Sequence, residues 1–190
     1  MSTTHQMPAP EYLNECFLYN PVNGDLIWKQ RPMNHFSSVR AWRKFNVQFA
    51  GTVAGTRKLN NTQRPTEISV GLCVYGDKTR FSAHQIICRM LGIRIPDGYE
   101  VDHRDGNPFN NSITNIRVAT RSKNQANRRR NRNRVHNYPK GVWKNGNGYT
   151  AQIGFNGIKI RLGTYDTPEQ AQEAYYNKAV ELFGEFAKKD

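Results

Sequence analysis

An acidic residue followed at once by a histidine, Asp102-His103, closes a short apolar stretch, and the turn-forming run Asp105-Gly106-Asn107-Pro108 comes directly after it. The pair therefore stands at a strand-to-loop junction. Ile116, Val118 and Ala119 read as a second short strand, and Thr120 can cap a helix running from about Arg121 to Arg130. If the two strands pair and the helix packs across them, Asn124, one turn into the helix, points back towards the strand that carries Asp102 and His103. An Asp oxygen and an Asn oxygen are hard ligands suited to Mg²⁺ or Mn²⁺, and a histidine beside them can take a proton from water near neutral pH.

The charge is distributed to match. Of a net +13, residues 1–105 carry 13 basic and 9 acidic groups, residues 106–165 carry 12 and none, and residues 166–190 carry 3 and 6. A sixty-residue belt without a carboxylate suits phosphate contacts and counterion release on a polyanion. Taken alone, the run Arg128-Arg129-Arg130 with Arg132 and Arg134 could be a solvated linker. Its position, between the helix just described and a second basic module, makes it a DNA contact together with Arg121 and Lys123. The longest apolar runs are only a few residues and the N-terminus has no basic region followed by an apolar one, so neither a membrane span nor a secretory signal is expected. A soluble protein acting in the cytoplasm follows. Cys16, Cys73 and Cys88 are far apart, form no CxxC pair and read as reduced core thiols rather than zinc ligands.

Along the rest of the chain, residues 1–10 read as disordered, Tyr12 to Phe17 as a short helix, and Asp25–Lys29 as a strand after the Asn20–Gly24 turn. Residues 30–45 mix Arg31, Arg40, Arg43 and Lys44 with Phe36, Trp42 and Phe45, a pattern that fits a DNA-facing loop and a partly buried one equally well. Ile68 to Val74 alternate as a strand, turn at Tyr75–Lys78 into Thr79–Phe81, and lead to a Ser82-capped helix whose apolar face is Ile86, Ile87, Met90 and Leu91, ending near Gly92. His84 and Trp28 read as structural. Residues 131–137, His136 among them, read as a linker. Three strands follow, around Gly141–Trp143, Tyr149–Ile153 and Lys159–Tyr165, joined by Asn-Gly turns. Thr167-Pro168-Glu169-Gln170 then opens a capping box and a helix with Ala171, Ala174, Tyr175, Ala179, Leu182, Phe183 and Phe186 on one face. The fold class is α+β, in four parts: an N-terminal β region at 1–82, a central core at 83–130, a basic linker at 131–137 and a C-terminal sheet-and-helix unit at 138–190.

Asp102-His103, Asn115 thirteen positions after Asp102, and Asn124 twenty-one after His103 closely resemble the HNH, or ββα-metal, nucleases of the phage homing type. That resemblance runs roughly from Ala83 to Asn127. It implies that His103 is the general base, that Asn115 braces the loop and His103, and that Asp102 and Asn124 hold one Mg²⁺ or Mn²⁺ on the scissile phosphate. Many members have histidine where this chain has Asn124, and Asn127 is the rival for that place. The C-terminal unit is similar to the plant Apetala, or ethylene-response-factor, DNA-binding domain, through Tyr138–Val142, Leu162–Thr167, Ala174-Tyr175 and Leu182–Gly184. There the sheet lies in the major groove, which by position implies Lys140, Trp143, Gln152, Lys159 and Arg161 at the DNA. The reading that results is a metal-dependent endonuclease on double-stranded DNA, nicking one strand per monomer, with one ion per site, no zinc and no obligatory protein partner. A catalytically silent DNA-binding regulator descended from such a nuclease is the alternative. An RNA-binding protein would need aromatic platforms or an RNA module, and neither is visible.

Overall fold

The computed structural model describes residues 6–61, 63–74, 77–128 and 138–189. Among them lie five α-helices and four small antiparallel sheets, an α+β architecture. The chain forms two compact units, one of residues 1–97 with 107–117 and one of residues 98–106 with 118–190. The expected turn at residues 75–76 and the linker at 131–137 fall outside the described residues.

In the first unit, α1 (Pro10–Cys16) runs into the hairpin β1 (Phe17–Tyr19) and β2 (Leu26–Trp28). Helix α2 (Val39–Phe49) stands where a loop was expected from the sequence. Ser38 Oγ caps it by accepting from Ala41 N, and Trp42, Phe45 and Phe49 recur at helical spacing on one side. A three-stranded sheet of β3 (Thr56–Leu59), β4 (Pro65–Val74) and β5 (Asp77–Ser82) follows. Strand β3 is not foreseeable from the sequence because all four of its residues are exposed, so it carries no alternation. Helix α3 (Ala83–Met90) packs on α1 and β4 through Ala83, Ile86, Ile87 and Cys88, while Leu91 lies exposed beyond its end. Ser82 holds the capping position, but its hydroxyl donates to Glu67 instead of closing the helix.

The centre of this unit contains a cation. Arg31 is 2% exposed, with its guanidinium carbon 4.9 Å from the Phe36 ring centre, 5.2 Å from Phe45, 5.7 Å from Tyr12 and 5.9 Å from Trp28. Aromatic faces and hydrogen bonds take the place of water here. Nη2 donates to the Tyr12 hydroxyl at 2.6 Å and to Cys73 O at 3.3 Å, and Nε donates to His35 Nδ1 at 3.2 Å. Because an arginine only donates, His35 Nδ1 is the acceptor. The proton then sits on Nε2, which donates to Glu15 at 2.7 Å. Burial, with Arg31 adding to it, holds the His35 pKa below its ordinary 6.5, although Glu15 pulls the other way. The cysteines are unpaired, Cys16 and Cys88 buried and Cys73 half-buried, and burial pushes the Cys16 and Cys88 thiols up to about 11.

The loop at 107–115 is moored to the β1–β2 hairpin. Tyr19 donates its hydroxyl to Asn111 O at 2.9 Å, and Ile113 N donates to Pro21 O at 3.1 Å. Gly24, at φ +82°, lies so close that a Cβ there would stand 2.3 Å from the Asn111 carbonyl carbon. Only glycine fits that approach.

Strand β6 (Tyr99–His103), of the second unit, pairs with β7 (Ile116–Thr120), whose Val118–Thr120 belong to that unit, and α4 (Arg121–Asn127) follows, ending three residues short of the expected Arg130. The strands β8 (Val142–Asn145), β9 (Gly148–Phe155) and β10 (Ile158–Tyr165) form an antiparallel sheet with Gly146-Asn147 and Asn156-Gly157 at its turns. The capping box at Thr167 and Gln170 forms and starts α5 (Pro168–Phe183), and a 3-10 turn at Gly184–Phe186 closes the unit. Ala119 of β7 and Ala126 of α4 share one core with Ile153, Tyr175, Ala179, Phe183 and Phe186. Gly141, at φ +72°, lets β8 begin against α5, since a Cβ would lie 2.3 Å from the Tyr175 ring. No helix among the described residues is long and apolar enough to cross a membrane.

A buried histidine with a depressed pKa binds fewer protons folded than unfolded, so its contribution to stability is present above about pH 6.5 and lost as pH falls through the lowered value. Urea midpoints should therefore drop between pH 7 and 5 more steeply for wild type than for His35→Gln. Parallel curves would show that His35 is not the titrating group.

Candidate functional site

Strand alternation puts Glu100 and Asp102 on one face of β6, and helical spacing puts Asn124 and Asn127 on one face of α4. Thr120 fixes the start of that helix, its hydroxyl accepting from Lys123 N at 3.3 Å. The two faces meet as two acid–amide rungs. Asn127 Nδ2 donates to Asp102 Oδ1 at 2.8 Å and Oδ2 at 3.0 Å, and to the His103 carbonyl at 2.7 Å. One turn earlier, Asn124 Nδ2 donates to Glu100 Oε2 at 2.7 Å. The inner rung is buried, with Asp102 3% and Asn127 2% exposed, and His103 is buried beside it. The outer rung faces solvent.

Three acceptors around the Asn127 amide nitrogen fix which end of the side chain faces Asp102. Asn127 thus orients the carboxylate, and charge-assisted bonds of this kind contribute about 1.5–3 kcal/mol each. Asn124 engages Glu100 rather than Asp102. Glu100 is a site residue that sequence reasoning missed, although its place two residues before Asp102 on a strand is the signal that could have found it. Asn115 belongs to the first unit, where it is buried and donates Nδ2 to Asn110 O at 2.6 Å, closing the asparagine-rich loop. Tyr19, half-buried at the end of β1, donates to Asn111 of that loop, and desolvation raises its phenol above the ordinary value, with the Cys88 thiol adding to the effect.

Helix α4 is held at its far end by Lys140, whose ammonium donates to Gln125 O at 3.1 Å, Ala126 O at 2.7 Å and Arg128 O at 2.8 Å. By sequence position Lys140 was expected at the DNA. The structure turns it onto the last carbonyls of α4, where a cation also meets the negative end of the helix dipole. Lys123 lies 5.4 Å from the Phe186 ring centre, and Arg104, next to His103, pairs with Glu185. Arg121 and Arg128 are exposed. Arg129, Arg130, Arg132 and Arg134 lie outside the described residues.

The C-terminal sheet has two faces. Val142, Ala151, Ile153 and Ala171 are buried between it and α5. Trp143, 41% exposed, Gln152, Lys159 and Arg161 lie on the other face, with Gln152 opposite Arg161 and Trp143 opposite Thr150. A ladder of hydrogen bonds runs across it. Asn145 donates to Thr150 Oγ1 at 3.3 Å, Thr150 and Thr164 share a bond at 3.0 Å, and Arg161 donates to Thr164 at 3.0 Å.

Among the described residues, no three His, Cys, Asp or Glu side chains gather as a metal site. The groups that do meet are two carboxylates and two amides, and the carboxylate oxygens are hard donors that fit a divalent ion such as Mg²⁺ and leave most of its coordination to water and substrate.

Residues 81–126 match the family model described as HNH endonuclease. An uncharacterized HNH endonuclease of Acanthamoeba polyphaga mimivirus is 41% identical over 119 residues, which covers 62% of this chain and 61% of that protein. The chain thus spans about three-fifths of the length of this curated relative. No solved structure matches it significantly. The segment that holds Asp102, His103, Asn115 and Asn124 is therefore similar to HNH endonucleases, and Asn127 follows it directly.

If Lys140 secures α4, Lys140→Met should lower the unfolding free energy by about 1 kcal/mol. Urea unfolding measures this, and a variant as stable as wild type would contradict it.

Proposed function

We propose that this protein is a metal-dependent DNA endonuclease of the HNH homing type, hydrolysing one phosphodiester bond per monomer at a site read by the C-terminal sheet. The observation that carries the reading is the buried Asp102 carboxylate, clamped by Asn127 beside His103 inside a segment that matches HNH endonucleases. In this reading Asp102 and Asn124 hold one Mg²⁺ or Mn²⁺. Asn124 suits the role better than Asn127, because the Asn127 amide is committed to orienting Asp102 and the His103 carbonyl. The bound ion supplies positive charge against the negative charge that builds on the phosphate and the departing oxygen.

His103 takes the proton from a water molecule as it attacks phosphorus. The bond to the 3′ oxygen breaks on the opposite side, leaving a 5′ phosphate and a 3′ hydroxyl that gains its proton from solvent. Asn115 keeps the loop after β6 in shape through Asn110. Trp143, Gln152, Lys159 and Arg161 would meet base edges and phosphates from the uncovered face of the sheet. Arg121 and Arg128 would meet phosphates beside the cut, as would Arg129, Arg130, Arg132 and Arg134. Lys123 joins them from the exposed side of α4. Lys140 serves the site indirectly, by holding α4. With one such centre per chain, the product is a nick, made in the cytoplasm of the infected cell if the gene is viral.

The test is supercoiled plasmid with Mg²⁺. Wild type should convert it to the open circle, and His103→Ala should lose that conversion while keeping its affinity for duplex DNA. Direct formation of linear plasmid by a monomer would overturn single-strand nicking. Duplex binding without breaks under any divalent ion would favour the silent regulator.

A further inference from the structure

The first unit contains a second acid-free stretch. Between Asp25 and Glu67 there are eight basic residues and no carboxylate. One of the eight, Arg31, is the cation inside the core. Three others, Arg40, Arg43 and Lys44, are exposed on α2.

Helix α2 separates its residues by side. With 3.6 residues per turn, Arg40, Arg43, Lys44 and Val47 fall within about 100° of one another, and Trp42, Phe45 and Phe49 lie on the opposite side. The aromatic side is pinned. Phe45 meets Trp28 edge-on at 5.1 Å, Phe36 at 5.3 Å and Phe49 at 5.0 Å. Trp42 Nε1 donates to Arg31 O at 2.8 Å, and Asn46 holds both the N–H and the carbonyl of Arg31, at 2.9 and 3.0 Å. The side carrying the cations is thereby fixed in orientation and turned to solvent.

That outer face is unfavourable to the helix that bears it. Arg40 stands three and four residues from Arg43 and Lys44, so like charges are stacked along one ridge. Arg40 also lies in the first turn, at the positive end of the dipole, where no acidic residue offsets it. An ordinary solvated helix face carries charges of both signs. Here, among the described residues, no carboxylate pairs with any of the three. A rigid row of cations that weakens its own helix is accounted for when a polyanion lies against it.

We propose that the outer face of α2 is a phosphate-binding surface for duplex DNA, which gives the N-terminal region a direct part in holding the substrate. The proposal rests on the nuclease reading and adds a DNA contact in the first unit, apart from the HNH motif and the C-terminal sheet.

The experiment uses the full-length protein without divalent ions, a thirty-base-pair duplex of arbitrary sequence, and binding measured across a salt series. Every phosphate that the protein no longer neutralises lowers the slope of log K against log salt by about 0.9. The variant Arg40→Gln/Arg43→Gln/Lys44→Gln should lower that slope by about 2 to 3 and weaken binding equally for any sequence. The charge-conserving variant Arg40→Lys/Arg43→Lys should keep the wild-type slope. A control that removes three exposed charges elsewhere in the same unit, Lys78→Gln/Arg80→Gln/Arg94→Gln, should also keep it. An equal drop in the control, a drop in the charge-conserving variant, or an unchanged slope in the first variant would each overturn the proposal. So would tighter binding to anionic phospholipid vesicles than to the duplex. Wild-type protein that nicks plasmid while the first variant keeps its slope removes this inference alone, whereas wild-type protein that binds no duplex removes the nuclease reading as well.

Discussion

A carboxylate taken out of water is tolerated only where donors are already aimed at it, and Asp102 has such a donor in the amide of Asn127. This contact joins the end of β6 to the end of α4. Because the same amide nitrogen also holds the His103 carbonyl, the acid and the backbone of the neighbouring histidine are set by a single side chain. Moving α4 away by about 1 Å would release both. The geometry of the proposed catalytic pair therefore depends on how firmly one short helix is held.

Seven residues are too few for a helix to persist by propensity alone, so α4 owes its place to tertiary contacts. Thr120 closes its first turn, Lys140 covers its last carbonyls, and Ala126 is buried in a core with Phe183 and Phe186. Two of these supports come from residues 138–190. In the second unit, the sheet and helix proposed to read DNA also hold the helix that orients Asp102. Loss of packing at α5 would thus affect the proposed bond cleavage as well as the proposed recognition.

Much of this was legible in the sequence where local chemistry decides structure. The capping box at Thr167, the two hairpins with asparagine and glycine at their turns, and the strand, loop, strand and helix around Asp102 all form, because each is fixed by residues a few positions apart. Helix α2 was hidden since arginines and a lysine interrupt its aromatic stripe, and composition alone does not say which residues face inward. The burial of Arg31 could not be read at all. It requires four rings brought together from α1, β2, the segment before α2 and α2 itself. The same holds for Lys140, whose three carbonyl partners lie at least twelve residues earlier in the chain. At the site, spacing supplied Asn124 and Asn127 as alternatives, and only the register of α4 against β6 tells which amide meets which acid.

The contact between Asp102 and Asn127 can be weighed directly by a double-mutant cycle, comparing the unfolding free energies of wild type, Asp102→Ala, Asn127→Ala and the double variant without added metal. A charge-assisted bond in a buried setting predicts a coupling of about 1.5–3 kcal/mol. Costs that simply add, leaving a coupling near zero, would mean that the two side chains do not hold one another and that α4 is fixed to β6 by something else.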